Sequence, residues 1–240
     1  MKHILSFSGG KDSTALLLMM LEKNMPIDEI IFCDTGVEFP EMLEHIKKVE
    51  VYIGRKITTV RNKHSYEYYL GSYVKQNGEG IGFGHPDFKN RWCTYYMKKK
   101  PYFDYLKVKY PKEHIVEYLG IAYDEKYRTK EKSNRDIKYP LVDWQIFEYD
   151  ALEYCYKQGF DWDGLYEKMP RVSCWCCPLS RLEGIKMLYE ERPELWAKLK
   201  EFDTKSFRRF RYDYTIDELE QKFEWEKKNK GKWKGRNGKK

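Results

Sequence analysis

Apolar positions in the first half of the chain fall into short runs separated by helical stripes. Ile4-Leu5-Ser6-Phe7 reads as a buried strand and leads into the polar turn Ser8-Gly9-Gly10-Lys11-Asp12-Ser13. Thr14 to Lys23, rich in leucine and methionine, reads as a helix closing near Asn24 and Pro26. Ile30-Ile31-Phe32-Cys33 predicts a second strand, Pro40 to Val51 a helix, and Ile57-Thr58-Thr59-Val60 a third strand. His114 to Leu119 predicts a fourth strand, ending in Gly120-Ile121. Tyr149–Gln158, Glu183–Phe202 and Thr215–Lys228 read as helices. Strands alternating with helices predict an α/β fold, a parallel twisted sheet with helices on both faces, plus a helical carboxy-terminal extension. Between Tyr73 and Trp92 the periodicity fails. Gly78, Gly80, Gly82 and Gly84 followed by His85-Pro86 read there as a mobile loop over a site.

Composition changes this picture in three places. A 41% apolar content over 240 residues supports one sizeable core. No run of 18 apolar residues exists, and Met1-Lys2-His3-Ile4-Leu5 runs straight into a polar turn. Neither a membrane span nor a secretory leader is expected, so the reading is cytoplasmic. In that reducing compartment six cysteines point to metal binding or chemistry rather than disulfides. The net charge of +7 is concentrated at one end: eight of the 45 Lys and Arg lie in Lys227–Lys240, which has no acid. The preceding residues therefore hold 37 basic groups against 38 acidic ones. Such a tail suits docking on tRNA or DNA phosphates, and it equally suits a solvated, disordered end.

The first turn carries the clearest chemistry. Gly9 and Gly10 let the backbone approach a ligand closely, and successive N–H groups point into one concavity. The following helix adds its positive end, and Lys11 a full charge. Ser8 and Ser13 supply hydroxyl donors. Asp12, an anion among phosphates, makes sense with Mg²⁺ between it and them. The spacing differs from a Walker A loop. It resembles the SGGxDS signature of the PP-loop ATP pyrophosphatases. That resemblance implies that the loop holds the pyrophosphate half of ATP while an acceptor oxygen attacks the α-phosphorus, with Lys11 and Asp12 in catalytic roles.

Four more segments resemble the phosphoadenylyl-sulfate reductase branch of that superfamily, over about residues 3–180. They are Asp34-Thr35-Gly36 through Pro40-Glu41, Arg91-Trp92-Cys93 through Pro101, Gly120-Ile121-Ala122-Tyr123-Asp124-Glu125 with Arg128, and Tyr139-Pro140-Leu141-Val142-Asp143-Trp144. The resemblance implies an adenine nucleotide alpha hydrolase-like fold, nucleotide contacts from Asp34, Thr35 and Gly36, and catalytic positioning by Asp124 and Arg128. Ala122 departs from the pattern, which has arginine there. The branch's reductases use a cysteine near the carboxy terminus, whereas no cysteine follows Cys177 here. Their phosphate loops are degraded, and this one is intact. Both departures point towards the ATP-using sulfurtransferases.

Cys174, Cys176 and Cys177 place three thiols within four residues, and Cys174-Trp-Cys-Cys177 is a C-x-x-C that turns two sulfurs towards one metal. Iron–sulfur members of the branch pair such a motif with a Cys-Cys about eighty residues upstream. Cys93 matches one of that pair, Trp92 replaces the other, and Cys176 is extra. The resemblance implies a [4Fe–4S] cluster drawn from Cys93, Cys174, Cys176 and Cys177, either closed by four thiolates or held by three with one iron open to an exogenous sulfide. Zn²⁺ suits the same soft thiolates, and a free thiol set is the third reading. Cys33 and Cys155 read as packed small residues, and no histidine is assigned to metal. Arg208, Arg209 and Arg211 among Phe207, Phe210 and Tyr212 read as a nucleic-acid grip or as a surface helix.

The combined expectation is an AMP- and PPi-forming sulfurtransferase with ATP and Mg²⁺, acting on tRNA, DNA or a nucleotide-like acceptor. A donor such as a cysteine desulfurase would supply sulfur. The alternatives are a sulfonucleotide reductase that borrows a partner's thiol, and a zinc-stabilised nucleotide-binding module without turnover. Expected boundaries are a nucleotide-binding domain over 1–180, a helical extension over 181–226 and a tail over 227–240.

Overall fold

Four apolar stretches and one charged stretch form a single sheet. The computed structural model describes all residues except 75–77, 79, 131–133, 170, 173 and 230–240. Strands β1 (Lys2–Phe7), β2 (Glu29–Cys33), β3 (Thr58–Val60), β4 (Ile115–Leu119) and β5 (Asp136–Lys138) are all parallel, in the order β3-β2-β1-β4-β5. β1 is central: Leu5 lies opposite Ile30 on one side and Tyr118 on the other. Strand order reverses between β1 and β4, which opens a crevice at their carboxyl ends, the usual ligand position in such sheets.

Helices α1 (Lys11–Glu22) and α2 (Pro40–Ile53) follow β1 and β2; α4 (Lys100–Lys109) precedes β4, and the short α5 (Pro140–Asp143), α6 (Glu148–Lys157) and the short α7 (Leu165–Lys168) follow β5. Ile4, Ile31 and Val60 pack against Tyr102 and Leu106 of α4, and strand alternation turns Leu5 and Ile30 to the opposite face. Eight residues of α1 are buried, including Ala15, Leu16, Leu17 and Met20, because α1 lies against β1 and also packs on α6. Two positions of chain punctuation were legible: Pro40 opens α2, and Gly54 ends it in the left-handed conformation at φ +64°.

Glu29, only 6% exposed, opens β2 and is the most heavily bonded acid of the sheet. It accepts from the Thr58 hydroxyl at 2.6 Å, Tyr105 at 2.5 Å, Tyr110 at 2.7 Å and the Lys109 ammonium at 2.8 Å. Burial opposes its ionisation. The hydrogen bonds from Lys109, Thr58, Tyr105 and Tyr110 outweigh burial and hold its carboxyl down at about 2.

The chain divides into two compact units. One comprises Met1–Asn62 with Thr94–Glu167 and contains the whole sheet. The other comprises Lys63–Cys93 with the chain from Lys168 onward, so the segment 63–93 groups with the carboxy-terminal helices rather than with the domain drawn as 1–180. This second unit holds α3 (Tyr66–Gly71), α8 (Leu182–Glu191), α9 (Pro193–Thr204) and α10 (Ile216–Asn229). Where one helix was expected from Glu183 to Phe202, two form. Pro193 has no N–H to continue the ladder and starts α9 as its first residue.

Two glycines of the segment read as a mobile loop over a site make close contacts. A Cβ on Gly82 would lie 2.3 Å from the Leu70 carbonyl oxygen, and one on Gly84 2.8 Å from the Arg208 side chain. Gly82, Phe83 and Gly84 donate their amides to Tyr73, Tyr69 and Leu70. These glycines pack closely against α3 and the chain following it. Part of the segment, at 75–77 and 79, lies outside the described residues, as does most of the basic tail.

Candidate nucleotide site and cysteine cluster

The turn after β1 is built as an anion cradle. Gly9 is left-handed at φ +77°, and a Cβ there would meet the Met42 sulfur at 2.7 Å. Gly10 precedes the first turn of α1 and provides no side-chain cap. Within the described residues the amides of Gly9, Asp12 and Ser13 have no protein hydrogen-bond partner, the open-donor arrangement that a phosphate satisfies. The serine hydroxyls brace the loop from inside. Ser13 Oγ donates to the Gly10 carbonyl at 3.0 Å, accepts from the Ser8 amide at 3.2 Å and lies 3.0 Å from Ser8 Oγ.

Three residues not singled out in the sequence hold this loop. The Trp162 indole, 1% exposed, donates to the Gly9 carbonyl at 2.7 Å. It stacks on His45 at 4.3 Å and meets Tyr166 edge-on at 4.7 Å. Trp162 and Asp163 are both left-handed, at φ +51° and +50°. That is a costly backbone for non-glycine residues, and it is held here by the packing around the indole. The Tyr166 hydroxyl accepts from the Lys11 amide at 2.9 Å. His45 bonds Thr14 at 2.9 Å, and burial drives its pKa down to about 3, so its ring is neutral.

The third residue is Glu148. The Lys11 ammonium, itself buried, donates to Asp12 at 3.0 Å and to Glu148 at 2.9 Å. Burial raises the Asp12 pKa, Lys11 opposes the rise, and Glu148 and Glu125 add to it. Lys11, Asp12 and Glu148 together carry one excess negative charge, which suits a phosphate that arrives with Mg²⁺ rather than alone. Glu148→Gln should therefore raise affinity for Mg²⁺-free pyrophosphate by roughly fivefold, the equivalent of about 1 kcal/mol for a partly exposed charged hydrogen bond. Calorimetric titration checks this, and unchanged affinity would show that Glu148 does not restrain Lys11.

Flanking loops come from the carboxyl ends of β2 and β4. Asp34 accepts the Gly36 amide at 2.7 Å and pairs with Arg61, while Thr35 donates to Glu38 at 2.8 Å. Gly36 is left-handed at φ +75°. Gly120 presses on the cradle itself: a Cβ there would lie 2.8 Å from Ser13 Cα and 2.9 Å from Ser13 N. Asp124 accepts the Glu148 amide at 3.1 Å, and Arg128 pairs with Glu125. Asp124 thus caps the start of α6 and positions Glu148. Burial pushes the Cys33 thiol up to about 12 and Cys155 also upward, so both are neutral packed groups.

In the other unit, the chain before α8 turns so that the Cys177 amide donates to the Cys174 carbonyl at 3.0 Å. Cys176 is buried, while Cys93, Cys174 and Cys177 are half-buried. Burial first, then the neighbouring Cys174, Cys177 and Cys93, push the Cys176 thiol well up. Trp92, in the place of a second upstream cysteine, is instead an aromatic core residue. It donates to the Gly84 carbonyl at 2.9 Å and packs near Tyr66 and Phe83.

The stretch that contains the sheet, the glycine cradle and the loops around it is matched by a family model. The Phosphoadenosine phosphosulfate reductase domain model covers residues 2–180. The chain belongs to that family. Two archaeal relatives from Methanocaldococcus jannaschii are similar to it. Uncharacterized protein MJ0066 is 29% identical over 81% of this chain and 40% of its own length. Uncharacterized protein MJ0973 is 30% identical over 87% of this chain and 48% of its own length. The chain thus spans less than half of either relative. Among solved structures, the U34-tRNA thiolase NcsA from Methanococcus maripaludis with its [4Fe-4S] cluster is similar at 12% identity and a TM-score of 0.40, covering 85% of this chain and 71% of NcsA.

For this phosphoadenosine phosphosulfate reductase family member, the cysteine cluster has the donor chemistry of a soft-metal site. Burial, and then the nearby Cys174, Cys177 and Cys93, oppose ionisation of Cys176, a penalty that a bound cation would offset. The buried Tyr66 hydroxyl lies beside Cys176. The side chains are gathered without being closed: among the described residues no three His, Cys, Asp or Glu stand in ion-holding geometry.

The arginines read as a nucleic-acid grip or as a surface helix lie in a bend between α9 and α10, not in a helix, and are paired with acids. Arg208 pairs with Asp87, Arg209 with Glu218, and Arg211 with Asp213. Arg211 also donates to the Pro178 and Ser180 carbonyls at 2.8 and 2.7 Å, which braces the chain just after the cysteines. They line a groove of about 810 Å³ with exposed Phe88 and Tyr212. His85 is likewise internal, buried and bonded to Asp203 at 3.0 Å. No helix among the described residues is long and apolar enough to cross a membrane.

Proposed function

We propose that the chain binds MgATP at Ser8–Ser13 and splits it between the α- and β-phosphates to adenylate an acceptor, the first half of a sulfur transfer. The observation that carries this reading is the set of open amides at Gly9, Asp12 and Ser13, at the switch point of the sheet. An acceptor oxygen attacks the α-phosphorus, the bridging P–O bond breaks, and pyrophosphate leaves into the cradle with the electron pair. Lys11 and the end of α1 take up the charge that gathers there. Asp12 would hold Mg²⁺ and Asp34 to Gly36 would flank the adenine, while Asp124 and Arg128 order the loop bearing Glu125.

The acceptor in this reading is tRNA, DNA or a nucleotide-like molecule, and the sulfur donor a persulfide carrier such as a cysteine desulfurase. Cys93, Cys174, Cys176 and Cys177 would hold a [4Fe–4S] cluster, with Zn²⁺ as the alternative. Bound there, a cluster supplies soft sulfur chemistry and Zn²⁺ supplies structure alone. Free thiols of this kind belong in a reducing cytoplasm.

The test is anaerobic purification with iron, sulfide and zinc analysis, followed by PPi release from ATP with nucleic-acid acceptors. AMP and PPi in equal amounts, lost in Lys11→Ala, are expected. ATP turnover to ADP and phosphate would sink the proposal. The family match favours a second reading, reduction of a sulfonucleotide through a partner's thiol. Thioredoxin-dependent sulfite release would select it. Stoichiometric zinc with ATP binding and no turnover would select a binding module.

A further inference from the structure

The groove of about 810 Å³ lies wholly in the second unit and has no part in the chemistry proposed above. One wall is His85–Lys89, another is Arg208–Tyr212, and Pro178-Leu179, the chain leaving the cysteine turn, forms the third. The walls are tied together by the chain's own bonds. The His85 amide donates to the Ser206 hydroxyl at 2.9 Å, and that hydroxyl donates to the Arg208 carbonyl at 2.8 Å. Arg208 reaches Asp87 at 2.6 Å, and Arg211 holds the Pro178 and Ser180 carbonyls. Two rings of the lining are left in solvent: Phe88 is 76% exposed and Tyr212 84%. Rings so exposed add little to a core, and these two border the same groove.

Among the described lining residues Lys89, Arg208, Arg209 and Arg211 face a single acid, Asp87. Arg211 is committed to Asp213 and the two carbonyls. Arg208 and Arg209 pair with Asp87 and Glu218 through partly exposed groups, and such pairs contribute little and yield to a stronger anion. Lys89 is exposed and makes no ion pair among the described residues. Open aromatic faces interleaved with available cations suit a base followed by a phosphate. Like charge excludes the chain's own tail as the occupant, since Lys227–Lys240 carries eight Lys or Arg and no acid. A duplex offers no open base face. Unpaired bases are standing features of folded RNA, whereas from duplex DNA they must be extruded.

We infer that this groove seats an unpaired segment of RNA, with bases stacked on Phe88 and Tyr212 and flanking phosphates at Lys89 and Arg209. The inference rests on the acceptor part of the proposed function, and it narrows that acceptor to single-stranded RNA.

The experiment titrates a fluorescein-labelled oligouridine of about 12 nucleotides into the full chain and its Phe88→Ala, Tyr212→Ala and Lys89→Ala variants. Each titration is repeated between about 50 and 200 mM salt. All three side chains are exposed, so the variants should melt with the parent. Each aromatic variant is expected to bind about 10-fold more weakly with an unchanged salt dependence, because stacking carries no net charge. Lys89→Ala should instead flatten the slope of log affinity against log salt by about 0.7. Equal affinity of the parent and all three variants would mean that the tail or another surface holds the RNA, which overturns the inference alone. Tighter binding of a duplex or of the matching DNA strand also overturns it. A parent that binds no RNA overturns the inference and the RNA acceptor together, while PPi release from ATP in the same preparation reports separately on the nucleotide half of the reading.

Discussion

Alanine in place of Gly120 is expected to weaken ATP binding by roughly 10- to 100-fold, the consequence of about 1–3 kcal/mol of overpacking. The added methyl would meet Ser13 Cα at 2.8 Å, Ser13 N at 2.9 Å and the Asp12 carbonyl carbon at 3.0 Å. These are backbone atoms, so no side chain can swing away. The first turn of α1 must shift as a whole, carrying the amides of Asp12 and Ser13 out of register with a bound phosphate. Calorimetry with ATP measures the loss, and the melting curve should stay cooperative because the sheet is untouched. Unchanged affinity in Gly120→Ala would place the phosphates elsewhere.

The second large effect concerns stability. Glu29→Gln is expected to cost on the order of 3 kcal/mol at neutral pH, from a carboxyl held at about 2 against an ordinary value of 4.5. Because the folded-state pKa is the lower one, the contribution is complete above pH 4.5. It disappears as the pH falls towards 2. Urea unfolding of the parent should therefore show a steep loss of stability across that window, and the variant a shallower one. Parallel curves would mean that Lys109, Thr58, Tyr105 and Tyr110 contribute little through this carboxylate. The site is remote from the cradle, so ATP affinity should not change.

Both positions lie in stretches that sequence patterns located well. β1, β2, β3 and β4 follow apolar runs, and α1, α2, α6 and α10 follow their stripes to within a few residues. β5 was missed because Asp136-Ile137-Lys138 is an edge strand with one apolar residue, and edge pairing needs little hydrophobic signal. α3 was hidden in a tyrosine-rich stretch, and α4 in a lysine-rich one that buries Tyr102 and Leu106. At the cradle, Ser8–Ser13 was legible since one turn contains it all. Glu148, Trp162 and Tyr166 were not, because each reaches the loop across more than 130 residues of chain. Only the left-handed Trp162-Asp163 pair marks them as special, and a backbone angle leaves no trace in composition.

The discontinuity of the second unit sets an order of events during synthesis. Residues 63–93 leave the ribosome roughly 75 residues ahead of the segment they fold against, at a pace of about 5–20 residues per second. For several seconds Tyr66, Tyr69, Leu70 and Trp92, all buried in the finished protein, have one another but not Phe202 and the other later partners. Cys93 waits with them as a solitary thiol, open to oxidation, until Cys174, Cys176 and Cys177 have been made. All four thiols exist together only once Cys177 has been made, and a truncated product ending before residue 168 carries the sheet but only Cys93 of the four.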